Sequence, residues 1–152
     1  MIPVRILFCS DFSENSSGAR KCAREYATAF GAELLILHVI NSARIGYPSM
    51  DGGVPTDVES ALHNIQESVE KALKLVAEDC CSNIDKVSTH TRIGIPDREI
   101  VSFADEKKAH LIVLGTHGWT GLKHVLMGSV AEHVIRTANC PVLTVKTGLE
   151  LP

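Results

Sequence analysis

Gly115, Gly118, Gly128 and Ser129 stand at spacing G-x2-G-x9-G-S, directly after the apolar run Leu111-Ile112-Val113-Leu114. A glycine turn at a strand end, followed by a helix start, presents backbone N–H groups with no Cβ in the way, and such groups hold phosphate. The loop is neither G-x4-G-K-[ST] nor G-x-G-x-x-G, so a Walker-type loop and a nicotinamide-dependent reaction are poorly supported.

Each of these residues has a plainer reading beside the chemical one. Ser129, with Glu132 three residues on, reads as a capping box that satisfies orphan helix N–H groups. In the anion reading, the N–H groups around Ser129 and Val130, the positive end of the helix dipole and the Ser129 hydroxyl accept phosphate oxygens instead. Gly115 and Gly118, three apart, either turn the chain or let the backbone approach a ligand and adopt positive φ; Gly121 reads as a hinge. Asp11, at the end of the first strand-like run, either accepts ribose hydroxyls or N-caps the first helix. His117, Lys123 and His124 fall in the glycine loop, where they either offset phosphate charge or face solvent.

The elements that must position these groups alternate along the chain. Val4–Cys9 and Glu33–Val39 are apolar runs too continuous for a sheet with one wet face, as buried parallel strands are. Between them Ala19, Cys22, Ala23, Tyr26, Ala27 and Phe30 recur at helical spacing over 16–30, and Gly31 follows where a helix end wants it. Residues 40–55, with Gly46, Pro48, Gly52, Gly53 and Pro55, read as a long loop. Helical periodicity returns from Asp57 to Cys80. A strand is predicted over Val87–Arg92, a helix opening at Pro96, a fourth strand over His110–Leu114, a helix over Ser129–Ala138 and a fifth strand over Val142–Val145. Five strands with helical crossovers imply an α/β fold, a parallel sheet flanked by helices on both faces.

Composition narrows the function classes. With 152 residues and 45% hydrophobic content, one compact domain spanning 1–152 is expected, with a core that needs no disulfide. A net charge of -3 and 5% aromatic residues give no basic surface with interleaved aromatics, so nucleic acid is not suggested as a partner. No run reaches the roughly 18 apolar residues that cross a bilayer, and no charged leader precedes the first strand; a cytoplasmic protein that does not enter the membrane is expected. Five scattered cysteines read as reduced core thiols rather than a redox pair, and the histidines fit no short metal-ligand motif.

The segment GTHGWTGLKHVLMGSVAEHVIRTANCPVLTV resembles the C-terminal signature of the universal stress protein family, in its ATP-binding branch. The similarity extends to Ser10-Asp11-Phe12-Ser13 after the first strand, Leu37-His38-Val39 in the second and Cys140-Pro141-Val142 before the last. The resemblance implies a five-stranded Rossmann-like domain of the adenine nucleotide alpha hydrolase-like kind. It implies an ATP-binding protein of stress adaptation or signalling, homodimeric through the last strand, with protein partners that the sequence does not name. Carried onto this chain, Asp11 lies near the ribose, the Val39 backbone reads the adenine edge and Gly115 packs beside the ribose. Gly118, Gly128, Ser129 and Val130 hold the phosphates. Mg2+ or Mn2+ is a natural companion of a triphosphate, which supplies most of its ligands. The loop offers no complete catalytic set for phosphoryl transfer, so the alternative of an ATP-using enzyme reduces to slow hydrolysis or adenylate transfer. Val142–Val145, as an edge strand, would leave its backbone unpaired unless a second copy covers it.

Overall fold

The computed structural model describes residues 2–45, 58–80, 84–117 and 127–146. Its five strands are β1 (Arg5–Cys9), β2 (Glu33–Asn41), β3 (Val87–Gly94), β4 (Leu111–Gly115) and β5 (Val142–Val145). They form one parallel sheet in the order β3-β2-β1-β4-β5. The helices are α1 (Ser17–Phe30), α2 (Ser42–Ile45), α3 (Val58–Cys80), α4 (Pro96–Glu106) and α5 (Ser129–Thr137), and a 3-10 turn at Glu14–Ser16 leads into α1.

The continuous apolar strands are explained by burial on both faces. Ile6, Phe8, Leu34, Ile36 and Val113 point to one side, where they pack with α1 and α3 through Ala19, Ala23, Val69 and Leu73. Leu7, Leu35, Leu37, Ile112 and Leu114 point to the other, against Ile100 and Phe103 of α4 and Ala131 and Val134 of α5. A strand's side chains alternate between faces, so a central strand with a helical layer on each side can afford no polar stripe.

Several boundaries differ from the sequence reading. Ile40 and Asn41, placed in a loop by composition, extend β2, because β3 pairs along it as far as Asn41↔Gly94. Ser42–Ile45 form the short α2, and the remainder of that expected loop lies outside the described residues. Tyr26 and Phe30, assigned to the apolar face of α1, are 39% and 42% exposed and meet edge-to-face with ring centroids 5.7 Å apart. Only Ala19, Cys22, Ala23 and Ala27 of that helix are buried, since close seating on the sheet admits small residues.

Gly31 closes α1 as anticipated. Its φ of +61° and ψ of 33° are left-handed, and its N–H returns to the Ala27 and Thr28 carbonyls. No atom lies within 4 Å of where a Cβ would stand, so backbone conformation is the constraint. Gly31→Ala is expected to cost about 1 kcal/mol of stability through the left-handed backbone alone. Chemical denaturation would measure it, and an unchanged unfolding midpoint would contradict it.

Candidate functional site

β1 leads to β2 on one side of it and β4 lies on the other, so the strand order reverses between β1 and β4. Open α/β sheets place ligands outside the carboxyl ends of the strands at such a point. A cavity of about 600 Å³ opens there, within the size range of small-molecule sites. Asp11, Val39, Gly115, Gly128, Ser129 and Val130 all line it. Gly118, with Gly121, Lys123 and His124, lies outside the described residues.

Thr116 fastens the glycine-rich wall. Its N–H donates to the Val145 carbonyl of β5 at 2.9 Å, and its carbonyl accepts the Gly128 N–H at 2.7 Å. This ties the start of α5 to the ends of β4 and β5. A Cβ on Gly128 would stand 3.3 Å from that same carbonyl, and one on Gly115 would stand 3.1 Å from the Asn15 carbonyl. Close approach of backbone to backbone explains both glycines. The positive φ allowed for Gly115 is not found; among the described glycines only Gly31 has one.

The capping box expected at Ser129 is also absent. Gly128, extended at φ −73° and ψ 153°, is the N-cap of α5, and no side chain caps the helix. Ser129 is therefore the first helical residue, and the Glu132 carboxylate pairs with Arg136 instead. The first intrahelical bond runs from Glu132 N–H to the Gly128 carbonyl at 3.0 Å. The N–H groups of Ser129, Val130 and Ala131 thus have no intrahelical acceptor, and all three residues line the cavity. They form an anion-attracting end.

The opposite wall comes from the loop after β1 and the end of β2. Asp11 is not a helix cap: its Oδ1 accepts the Ser13 N–H at 3.0 Å and the Ser13 hydroxyl at 2.7 Å. This Asx turn precedes the 3-10 turn, which separates Asp11 from α1. Phe12 follows in the left-handed region, at φ +62°, an uncommon conformation for a bulky residue. Its ring stacks on His38, with centroids 4.3 Å apart and planes at 23°. His38 Nδ1 lies 2.8 Å from the Ser10 carbonyl; a carbonyl only accepts, so Nδ1 carries the proton.

The β1–β2 ladder ends at Cys9↔Leu37, where Ser10 N–H donates to the Leu37 carbonyl. Backbone groups alternate along a strand, so those of Val39 face the same side as those of Leu37, beyond the last rung and toward the cavity. Ser10, Phe12 and His38 stand in the segments that carry the family resemblance, but the sequence assigns them no role; the local signal for one is an imidazole set in an otherwise apolar strand.

Electrostatics argue against thiol chemistry at Cys9. Burial, with Cys140 nearby, pushes the Cys9 thiol far above its ordinary range, so it stays protonated. Among the described residues no group of three His, Cys, Asp or Glu side chains converges as a metal site. No described helix is long and apolar enough to cross a membrane.

Burial holds His38 below its ordinary value of 6.5, against the opposing pull of the Ser10 carbonyl and Asp11. His90 moves the same way, through burial and then the Lys107 and Arg92 charges. The folded values lie below the unfolded one, so as pH falls through 6.5 the unfolded chain takes up protons first. Folding stability is expected to hold above about pH 7 and to decline toward about pH 5. Thermal melts across that interval check this, and a midpoint rising on acidification would contradict it.

Comparison with known proteins agrees with the geometry. The profile of the Universal stress protein family matches residues 4–146. Universal stress protein MJ0531 of Methanocaldococcus jannaschii is 41% identical, over 93% of this chain and 81% of its own length. The solved structure of MJ0577, from the same organism, superposes with a TM-score of 0.87 at 31% identity, covering 99% of this chain and all of that one. The fold recurs in the universal stress protein from Archaeoglobus fulgidus solved in complex with dAMP, at TM-score 0.64 and 24% identity, over 96% of this chain and 100% of that one. With the switch-point cavity, the glycine wall and a match over nearly its whole length, this chain belongs to the universal stress protein family.

Proposed function

We propose that the protein binds ATP in the switch-point cavity and acts as a nucleotide-dependent regulator in a stress response. The observation that carries this reading is the pairing of two backbone walls across one cavity. Unsatisfied N–H groups of α5 suit phosphates on one side, and the open Val39 edge suits a base with adjacent donor and acceptor on the other. Asp11, which lines the same cavity on the Val39 side, would take the ribose hydroxyls, and Gly115 would pack beside the ribose. Gly128, Ser129 and Val130 take the phosphates, together with Gly118 of the same motif, and Mg2+ or Mn2+ travels on the phosphate oxygens. The dAMP held by the A. fulgidus protein of the same fold supports an adenine nucleotide in this architecture.

Binding is favoured over turnover because Asp11 is the one carboxylate among the described lining residues, and its Oδ1 is engaged in the Asx turn. A second copy is proposed to pair with β5, which among the described strands pairs only with β4. The working compartment is the cytoplasm. Mass spectrometry of the purified protein should detect an adenine nucleotide, and added ATP with Mg2+ should persist through long incubation. Steady conversion to ADP or AMP would replace the regulator with an enzyme. Failure to bind ATP at millimolar concentration in calorimetry would remove the nucleotide altogether. Sedimentation velocity at micromolar concentration tests the dimer.

A further inference from the structure

The register of β1 against β2 fixes what the next rung of their ladder would be. Leu35 and Leu37 face β1, and Leu37 accepts from Ser10 N–H, so the next β1-facing residue is Val39. Its N–H would donate to the Ser10 carbonyl, and its carbonyl would accept the Phe12 N–H. Both partners are occupied locally. The Ser10 carbonyl takes the His38 Nδ1–H at 2.8 Å, and the Phe12 N–H donates to Ser10 Oγ at 3.3 Å. The two side chains thus substitute for one backbone rung. Phe12 secures the arrangement from above by stacking on the imidazole, and its left-handed backbone turns the chain away from β2.

We propose that His38, with Ser10, is a positioning residue that keeps the backbone edge of Val39 open for the adenine base by capping the ladder one rung early. This rests on the adenine-nucleotide reading given above for its ligand, but the open edge itself belongs to the nucleotide-free protein. His38 touches no nucleotide in this role; it acts through Val39 and through the Ser10–Phe12 segment that carries Asp11. Without the imidazole, the Ser10 carbonyl becomes available to the Val39 N–H, and the strand pair can zip closed over the site.

Three variants separate the contributions. His38→Phe keeps a ring against Phe12 and deletes the donor, whereas His38→Asn deletes the ring and keeps an N–H able to reach the same carbonyl. Ser10→Ala, a small change that preserves the fold, releases the Phe12 N–H. Amide hydrogen exchange is measured on the nucleotide-free proteins, and ATP affinity by calorimetry. In the wild type the Val39 amide should exchange at least about tenfold faster than that of Leu37, which is inside the ladder. His38→Phe should slow Val39 exchange and weaken ATP about tenfold, the scale of one hydrogen bond. His38→Asn should restore both toward wild type, and Ser10→Ala should move both in the direction of His38→Phe.

Equal protection of Val39 in wild type, His38→Phe and Ser10→Ala would overturn the proposal whatever the ATP result. Slowed exchange with unchanged ATP affinity would overturn the role in positioning the base. A wild type that shows the exchange pattern but binds no ATP would confirm the open edge and overturn the nucleotide reading, so the two failures are distinguishable.

Discussion

Ser129→Pro is expected to bind ATP about tens of times more weakly than the wild type, yet melt no lower. Proline suits the first helical position, where its missing N–H had no helical partner and its fixed φ matches the helix. The preceding residue must be extended, and Gly128 already is, at φ −73° and ψ 153°. The N-cap is Gly128, so the substitution removes no side-chain cap. The folded state is therefore undisturbed, while one N–H aimed at the phosphates disappears. A hydrogen bond to a charged group is worth roughly 1.5–3 kcal/mol, or about 10- to 150-fold in affinity. Ser129→Ala separates the hydroxyl from the N–H and should lose less than the proline variant. If both variants bind ATP as the wild type does, no anion sits on the first turn of α5.

How much of this could be read from the sequence differs between backbone and site. The order of elements was legible because strands buried on both faces leave uninterrupted apolar runs, and because Gly31 and Pro96 mark a helix end and a helix start. Boundaries that depend on a partner strand were not: Ile40 and Asn41 belong to β2 only because Ile93 and Gly94 lie alongside them. The pattern Ser129-x-x-Glu132 reads as a capping box, but the cap position is set from outside the helix, by the bond from Gly128 to the Thr116 carbonyl. Asp11 similarly reads as a helix cap until the intervening 3-10 turn is seen. Within the site, Gly115 and Gly128 were found by spacing, although their cause is crowding against the Asn15 and Thr116 carbonyls rather than left-handed backbone. The Val39 edge depends on where one ladder stops, and that is decided by a side chain of one strand and a carbonyl after another. No local pattern encodes such a meeting.

Phe8→Ala is expected to remove roughly 3–5 kcal/mol of stability, and that loss should be partly recovered by ATP. Phe8 sits in the central strand, 1% exposed, with Ile36 and Val113 in register on either side. All three belong to the cluster that joins the sheet to α1 and α3. Truncation leaves a void in a layer whose neighbours are held by the ladders and cannot collapse freely, so the cavity cost adds to the lost transfer energy. For a chain of this size the melting temperature should fall by roughly 10 °C. Cys9, Ser10, Asp11 and Phe12 follow directly and line the cavity, so the variant loosens the strand that leads into one wall of the site. A ligand bound only by the folded state raises its stability by about 2.7 kcal/mol at a hundred times its Kd. Saturating ATP should therefore raise the melting temperature of both proteins, and a wild-type shift without one in Phe8→Ala would mean that the mutation had dismantled the site as well as the core. A loss below about 1 kcal/mol would instead mean that the core around β1 is less tightly packed than its burial implies.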